Sequence, residues 1–363
     1  MADYTTIDDP TKFFNTVTYT GDLQDSDGTG HTQSITGVGF QPDWVWHKGR
    51  SGARTHMIVD RVRTVSSYNW LVSSGSGAEL TTNTNGAISS IDSDGITVQN
   101  GNDSSSKSNN AGKNGETWVF WNWKAGGSAS SNSDGSITST VSANTTAGFS
   151  IVKYTGTGSN ATIGHGLGVE PSMIIIKNLT ASRDWLVYHK QLGNTHGIYL
   201  DLTNASTSSS GFFNNTSPTS SVFSVGTDTD ANDSSDDTIA YCFAEKQGYS
   251  KFGSYTGNGN ADGTFVYTGF LPAWVMIKNI STADPWLMLD NKRDTFNPME
   301  KRLDANDNDA EATGTDYADF LSNGFKIIGN LGIHNNSNQN YIYMAFAEHP
   351  FVTSGTKAAG TAR

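Results

Sequence analysis

Short apolar runs alternate with polar, glycine-rich stretches along the chain, and one arrangement of these runs occurs three times. Each copy begins with a predicted strand that ends in Tyr-Thr-Gly, at 19–21, 154–156 and 255–257. A glycine-rich stretch follows, and a proline then opens a strongly apolar run that a lysine closes six residues later. These runs are Pro42–Lys48, Pro171–Lys177 and Pro272–Lys278. Such a recurring pattern predicts repeated structural units.

The later parts of the copies also correspond. Fourteen residues after the proline, copies two and three have Trp185 and Trp286, whereas copy one has His56. Each copy closes on an aromatic run, and these runs are 118–123, 239–245 and 341–348. Apolar runs of four to eight residues bounded by Asp-Gly and Asn-Gly turns are typical of strands and hairpins. The sequence therefore predicts an all-β fold with three tandem antiparallel β-sandwich modules, jelly-roll or lectin-like in kind.

The module boundaries follow from the spacing of the copies. We predict module one at 1–124, a linker at 125–148, module two at 149–247, module three at 248–352 and a C-terminal tail at 353–363. The linker is rich in Gly, Ser, Thr and Asn, which is the composition of a flexible tether. Modules two and three lack such a linker, and we expect them to be packed together or rigidly coupled. Sandwiches joined end to end would form a rod.

Helical patterning is weak in this sequence. Asp9 and Pro10 have the residue types that begin a helix, so we expect one short turn there. A second short helix is expected around 298–303.

Composition narrows the possible classes of protein. Of the 363 residues, 11% are aromatic, which is too many for a disordered polar chain. The net charge is −12 and the basic residues are dispersed, so we expect no nucleic-acid partner. The four residues that come closest to a basic cluster are Arg50, Arg54, Arg61 and Arg63. We interpret them as ordinary solvated surface. With Cys242 as its single cysteine, the chain forms no internal disulfide, and this thiol is expected to be buried.

No long apolar run and no secretory signal are apparent, so we expect synthesis in the cytoplasm without membrane insertion. The sequence also lacks the common catalytic motifs, so no catalytic residue is assigned and the chain is predicted not to be an enzyme. The lysine that closes each apolar run has two interpretations. It is either a solvated charge at a strand end or a shared ligand contact.

Metal ligands are similarly sparse. His189 and His196 form a weak pair, and no metal site is assigned to them. Two acidic segments, 228–233 and 304–309, offer the oxygen ligands that calcium prefers. We interpret both as solvated loops, with weak calcium binding as the alternative, and expect no other cofactor.

The tryptophans of module one are the candidate binding residues. Side chains alternate between the faces of a strand. Trp44 and Trp46 therefore share a face, and Trp121 and Trp123 share a face opposite Trp118. Two interpretations stay open. These four residues, Trp44, Trp46, Trp121 and Trp123, are either part of an inter-sheet core or an aromatic platform for sugar stacking or subunit contact.

Four segments together resemble a family of repeat-containing virion structural proteins of tailed bacteriophages, marine ones especially, whose function is unassigned. They are Met1–Pro10, Gln41–Trp46, Lys251–Gly259 and Ala345–Phe351. The resemblance covers nearly the whole chain. It implies a place on the virion surface after synthesis in the host cytoplasm, and it supplies no catalytic residues. It leaves open whether the protein belongs to the tail or to the capsid.

The expected function is therefore that of a non-enzymatic phage virion protein on the particle surface, associated with the tail or its fibres and adhesive to the host. One alternative is a capsid decoration protein, of the cement or head-fibre kind, attached through module one. More remote alternatives are a soluble carbohydrate-binding protein and a polysaccharide-degrading enzyme. The expected partners are other tail or capsid proteins, further copies of the chain in a homo-oligomer such as a trimer, and host surface glycan.

Overall fold

The computed structural model describes residues 5–63 and 68–353. Met1 to Tyr4, part of one segment that carries the resemblance, and residues 354–363 of the expected tail lie outside the described residues. Among those described, no helix has the length and apolar character needed to cross a bilayer.

Module one contains a four-stranded and a three-stranded antiparallel sheet. A 3₁₀ helix precedes them at Pro10–Lys12. The strands are β1 (Phe14–Thr20), β2 (Thr32–Thr36), β3 (Trp44–Gly49), β4 (Met57–Asp60), β5 (Ala87–Asp92), β6 (Gly95–Gln99) and β7 (Thr117–Trp123). The sheet orders are β1-β7-β3-β4 and β2-β6-β5. The short helical turn expected after Asp9 is confirmed.

Module two contains an eight-stranded sheet and a two-stranded one. Its elements are β8 (Ser130–Asn132), β9 (Ser139–Asn144), β10 (Phe149–Thr155), β11 (Ala161–Gly164), β12 (Met173–Asn178), β13 (Leu186–His189), β14 (His196–Tyr199), β15 (Thr207–Ser208), α1 (Ser210–Phe213), β16 (Val222–Val225), α2 (Thr229–Asn232) and β17 (Asp237–Phe243). The sheet orders are β15-β14-β13-β12-β17-β10-β9-β8 and β11-β16.

Module three contains a five-stranded and a three-stranded sheet. Its elements are β18 (Ser250–Thr256), β19 (Asp262–Tyr267), β20 (Phe270–Asn279), β21 (Trp286–Asp290), β22 (Leu303–Asp304), β23 (Ala318–Leu321), β24 (Gly324–Ile328), α3 (Gly332–Asn335) and β25 (Asn340–Pro350). The sheet orders are β18-β25-β20-β21-β22 and β19-β24-β23.

One strand order recurs in the three large sheets. In each, the strand that ends in Tyr-Thr pairs with the closing aromatic strand. The closing strand also pairs with the proline-initiated strand, which in turn pairs with the next strand along the chain. The three series are β1-β7-β3-β4, β10-β17-β12-β13 and β18-β25-β20-β21. The predicted all-β class with antiparallel, sandwich-like sheets is confirmed.

Two local predictions are wrong. The segment predicted as a flexible linker, 125–148, contains β8 and β9, which extend the large sheet of module two beside β10. Ile137 and Val141 give this polar segment an apolar side, and both are buried in the core of module two. The helix expected at 298–303 is also absent from this described stretch: Met299 bonds in an extended conformation to Ala318 and is buried.

Each large sheet is buried on both faces. In β12, Ile174 and Ile176 enter the core of module two, whereas Met173 and Ile175 enter a second core that residues of all three modules share. In β3, Val45 faces the core of module one and Trp44 the shared core. This explains why these strands are apolar throughout rather than alternating.

The shared core also decides how the modules are arranged. Since the outer face of each large sheet is apolar, the three modules pack these faces against one another rather than joining end to end as a rod. Residues of modules two and three pack together in this core, and residues of module one belong to the same core.

Candidate functional site

The four candidate tryptophans lie in the shared core. Trp44 and Trp46 are each 1% exposed, and Trp121 and Trp123 are fully buried. The ring centroid of Trp44 lies 4.6 Å from that of Tyr241 in module two. That of Trp123 lies 5.7 Å from that of Trp274 in module three.

The structure therefore brings these four side chains together, but with no exposed face for a sugar. The interpretation as a surface platform is wrong, because the other two modules cover the face that the tryptophans share. The predicted alternation itself is correct: Trp118 lies on the opposite side of β7 and stacks on His47, with ring centroids 5.0 Å apart.

The lysine that closes each proline-initiated strand is buried at a joint between modules. Lys48, Lys177 and Lys278 are all fully buried, so neither the solvated-charge nor the ligand-contact interpretation is correct. Each ammonium donates to a backbone carbonyl of another module. The distances are 2.8 Å from Lys48 Nζ to Asp309 O, 3.1 Å from Lys177 Nζ to Ser76 O and 2.7 Å from Lys278 Nζ to Thr203 O. Burial lowers the pKa of each lysine to about 8.

These contacts form a closed cycle. Module one bonds to module three, module three to module two, and module two to module one. A second set of bonds follows the same cyclic order. In each module, the carbonyl of the residue two positions after the lysine accepts a backbone N–H from another module. The donor–acceptor pairs are Glu311 N to Arg50 O at 2.7 Å, Glu79 N to Leu179 O at 2.9 Å and Ser206 N to Ile280 O at 3.3 Å. The three modules are thus interlocked with pseudo-threefold symmetry.

A third set involves the position fourteen residues after each proline. Trp185 Nε1 donates to Val72 O at 2.9 Å, and Trp286 Nε1 donates to Tyr199 O at 2.8 Å. His56 replaces tryptophan in module one, and its Nε2 lies 2.9 Å from Asp307 O. Since the other ring nitrogen accepts from Trp46, His56 is a neutral Nε2–H donor, and burial lowers its pKa. A ring N–H donor is therefore what this position requires.

The arginines of module one are paired with carboxylates. Arg50, Arg54, Arg61 and Arg63 each form an ion pair, with Glu311, Glu116, Asp43 and Asp60 respectively. Arg63 is buried rather than solvated, so the surface interpretation fails for this residue.

The other candidate groups also have structural contacts. His189 is buried and its Nε2 lies 3.2 Å from Tyr343 O, whereas His196 bonds to Thr195. Carbonyls of the 304–309 segment accept from Lys48 and His56, and 228–233 contains α2. Over residues 5–63 and 68–353, no group of three or more His, Cys, Asp or Glu side chains is placed to hold a metal. Cys242 is buried, as predicted.

An exposed pair of aromatic side chains lies instead on module three. Phe265 and Tyr267 are 45% and 54% exposed, and between them Val266 is buried in the core of the module. They lie on β19, at an edge of the β19-β24-β23 sheet. Tyr267 pairs with Gly324, which adds no side chain beside the tyrosine ring. We call Phe265 and Tyr267 the β19 aromatic strip.

A polar cavity of about 320 Å³ adjoins this strip. It is lined by Tyr267 together with Glu245, Gln247, Ser250, Lys251, Thr268 and Gly269. Glu245 accepts from Lys190 and Lys251, both at 2.6 Å. Burial alone would raise the pKa of Glu245, but these two hydrogen bonds outweigh it and the pKa is lowered. The cavity is thus lined by an ionised carboxylate paired with an ammonium and by an amide, next to an aromatic ring.

This combination is suited to a sugar. Rings stack on the apolar face of a saccharide, and the few polar groups of a site fix its hydroxyls. The sequence contains one signal of the strip, namely the alternation Phe265-Val266-Tyr267. It does not indicate which of the two alternating sets faces solvent, and so the strip was missed.

Comparison with known proteins gives one match. A profile described as a domain of unknown function, DUF7483, matches residues 9–350. No curated protein and no solved structure matches the chain significantly. Because the match includes all three modules almost completely, the chain belongs to the DUF7483 family.

Proposed function

We propose that the protein is a non-enzymatic structural protein of the surface of a bacteriophage virion, on the tail or its fibres, and that it adheres to host glycan through the β19 aromatic strip and the adjoining cavity. The exposed pair Phe265 and Tyr267 beside a polar cavity is the observation that carries the adhesive role. The virion role is supported by the resemblance of four sequence segments to phage structural proteins.

The interlocked modules are consistent with such a role. Three cyclic sets of bonds and one shared core make a rigid support, which presents the strip without having to reorganise on binding. The partners in this proposal are tail proteins, further copies of the chain in a homo-oligomer such as a trimer, and a surface polysaccharide. The chain is made in the host cytoplasm and needs no disulfide.

A glycan array with bacterial O-antigens and capsular polysaccharides tests the adhesive role. The parent chain and the double variant Phe265→Ala/Tyr267→Ala are compared. Each ring contact contributes about 0.5–1.5 kcal/mol, so binding by the double variant should weaken by roughly tenfold or more. Phe296→Ala is the control, because Phe296 is 80% exposed but does not line the cavity. Equal binding by all three proteins would refute the strip as the binding surface.

Immunogold electron microscopy of phage particles tests the virion role, with antibody to the purified chain. Label on the tail or its fibres supports the proposal. Label distributed over the head indicates the alternative, a capsid decoration protein. The observation that favours this alternative is the exposed β19 aromatic strip on a single module, because a capsid contact also needs an apolar patch. Unlabelled particles together with a positive array would indicate a soluble carbohydrate-binding protein.

A further inference from the structure

One position near the end of the closing aromatic strand differs between module one and the other two modules. The backbone bond just before it is the same in all three. The donor–acceptor pairs are Lys124 N to Phe13 O at 2.9 Å, Ala244 N to Gly148 O at 2.7 Å and Ala347 N to Tyr249 O at 2.8 Å. The next residue along the chain is therefore equivalent in the three modules. It is Ala125 in module one, Glu245 in module two and Glu348 in module three.

In modules two and three, two donors hold the carboxylate of this glutamate. The donor–acceptor pairs are Lys190 Nζ to Glu245 Oε2 and Lys251 Nζ to Glu245 Oε1, both at 2.6 Å, Asn291 Nδ2 to Glu348 Oε2 at 3.0 Å and Lys292 Nζ to Glu348 Oε1 at 3.2 Å. Each carboxylate thus uses both of its oxygens. Two of the three modules fill the same place with a carboxylate of their own chain.

Module one keeps the donor but lacks the glutamate. Arg61 is the equivalent of Lys190 and Asn291, because each of the three donates its backbone N–H to the carbonyl at the entry to the proline-initiated strand. The pairs are Arg61 N to Asp43 O at 2.9 Å, Lys190 N to Ser172 O at 2.8 Å and Asn291 N to Ala273 O at 2.9 Å. Since the side chain of Ala125 ends at Cβ, the place that a glutamate fills in the other modules stays open here.

A cavity of about 520 Å³ lies at this open place, between module one and residues 143–145 of module two. Ala125 and Arg61 both line it, and so does Lys124. Pockets that take small molecules have volumes of about 300–1,000 Å³, so the cavity has room for a ligand.

The cavity is positively charged. Arg61 Nη1 donates to Asp43 Oδ1 at 2.8 Å, and Asp43 is the one carboxylate among the lining residues that the structure describes. Lys124 Nζ lies 5.9 Å from the ring centroid of Phe40 and forms an ion pair with no described carboxylate. Two cations beside one carboxylate leave a positive charge, in a chain whose net charge is −12. Such a cleft attracts anions.

We propose that this cavity binds the carboxylate of an acidic sugar, a hexuronate residue, in the place that a glutamate of the chain fills in modules two and three. Arg61 and Lys124 would donate to the two carboxylate oxygens with charge-assisted hydrogen bonds. The other lining side chains are amides, a hydroxyl and alanine methyls, from Gln41, Asn144, Thr145 and two alanines. Polar groups of this kind suit the hydroxyls of a sugar. The inference concerns module one and does not rest on the β19 aromatic strip.

Isothermal titration calorimetry on the full chain at low salt tests the site, with trigalacturonate as the probe. The methyl ester of the same trisaccharide keeps the hydroxyls and removes the charge. We expect saturable binding of trigalacturonate, and binding of the ester that is weaker by roughly tenfold or more, because the charge-assisted bonds are lost. A blocked tripeptide with a central glutamate is titrated as well, and it should bind more weakly than trigalacturonate.

Two variants test the position of the ligand. Ala125→Glu supplies the glutamate that the other modules have, and should abolish binding because its own carboxylate occupies the site. Lys124→Gln should weaken binding by roughly tenfold. Lys326→Gln removes a lysine of β24 in module three and is the matched control, which should bind like the parent. Phe265→Ala/Tyr267→Ala should also bind trigalacturonate like the parent, so this test and that of the strip have separate outcomes.

Four results would overturn the proposal. They are a parent chain that does not bind millimolar trigalacturonate, equal affinity for the acid and its methyl ester, tighter binding of the glutamate peptide, and undiminished binding by Lys124→Gln. Loss of binding in the strip variant would overturn it too, because the sugar would then lie on module three. Circular dichroism checks that Ala125→Glu is folded. If it is not, Lys124→Gln decides the matter with its control.

Discussion

The shared core and the β19 aromatic strip are both rich in aromatic side chains on alternating strand positions, yet one is fully buried and the other is half exposed. Trp44 and Trp123 lie on faces that two other modules cover. Phe265 and Tyr267 lie on the small sheet of module three, on the side of β19 opposite the buried Val266, and are 45% and 54% exposed. Aromatic richness alone therefore does not identify a binding surface. What matters is whether another part of the chain packs against that face.

We expect the largest change in the free energy of unfolding from a side-chain truncation in the shared core. Trp123→Ala removes a buried indole that contacts Trp44 and Trp274, and should lower the free energy of unfolding by about 3–5 kcal/mol. Phe296→Ala, at an 80% exposed ring, should change it by less than about 0.5 kcal/mol. Urea unfolding followed by tryptophan fluorescence measures both. Similar losses in the two variants would contradict a core shared by three modules.

Substituting the lysines at the joints between modules should lower the free energy of unfolding by an intermediate amount. Lys278→Ala removes a buried ammonium that donates to Thr203 O of module two and to Asp284 O, so we expect a loss of about 1–3 kcal/mol. Lys48→Ala and Lys177→Ala should lose similar amounts, because the three joints are equivalent. Lys12→Ala is the control, since its side chain is 71% exposed. If only one of the three joint variants were destabilised in urea, the pseudo-threefold arrangement would not hold energetically.

The same lysines predict a dependence on pH. Their pKa is about 8 in the folded chain and 10.5 ordinarily. Between these values the unfolded chain binds more protons than the folded one, so stability should rise with pH in this window. Below pH 8 all three are charged in both states, and their contribution is constant.

One lysine can contribute roughly 1 kcal/mol per pH unit to this slope. Urea unfolding at pH 8 and pH 9.5 measures it, and Lys278→Ala should show a shallower slope than the parent. Lys12→Ala should retain the parent slope. Equal slopes in the parent and in Lys278→Ala would show that this lysine is not desolvated as the joint requires.

The smallest effect is expected at the aromatic strip. Phe265→Ala/Tyr267→Ala should change the free energy of unfolding by less than about 0.5 kcal/mol per site, because half-exposed side chains lose little burial. The same variant should lose glycan binding. A strip variant that unfolds as readily as Trp123→Ala would mean that these rings belong to a buried contact after all.

Several elements could be predicted because they depend on neighbours in sequence. The alternation of β7 placed Trp121 and Trp123 opposite Trp118, and the short helix after Asp9 was indicated by its own residues. The run Ile174–Ile176 is apolar at every position, and the structure buries it on both faces of β12. Asx-Gly turns and apolar periodicity are local signals, and they were sufficient for the all-β class and for the recurrence of one pattern of strands along the chain.

Predictions that depended on distant contacts failed. The 125–148 segment looked like a tether because its serines and glycines dominate, but β10 provides a partner for β9 and a core for Val141. The terminal lysine of each strand looked like an edge charge, but carbonyls of another module surround it. The helix expected at 298–303 was replaced by an extended segment, because Ala318 offered Met299 a backbone bond.

By itself, the sequence determined the all-β class, the recurrence of one strand pattern and the two sides of each strand. The tertiary structure decided which side is covered, and thereby that Trp44, Trp46, Trp121 and Trp123 are core while Phe265 and Tyr267 are surface. The physical reason is that a period of two separates the faces of a strand, whereas burial depends on which distant surface packs against a face. In this chain that surface belongs to another module, at a sequence separation that no local pattern records.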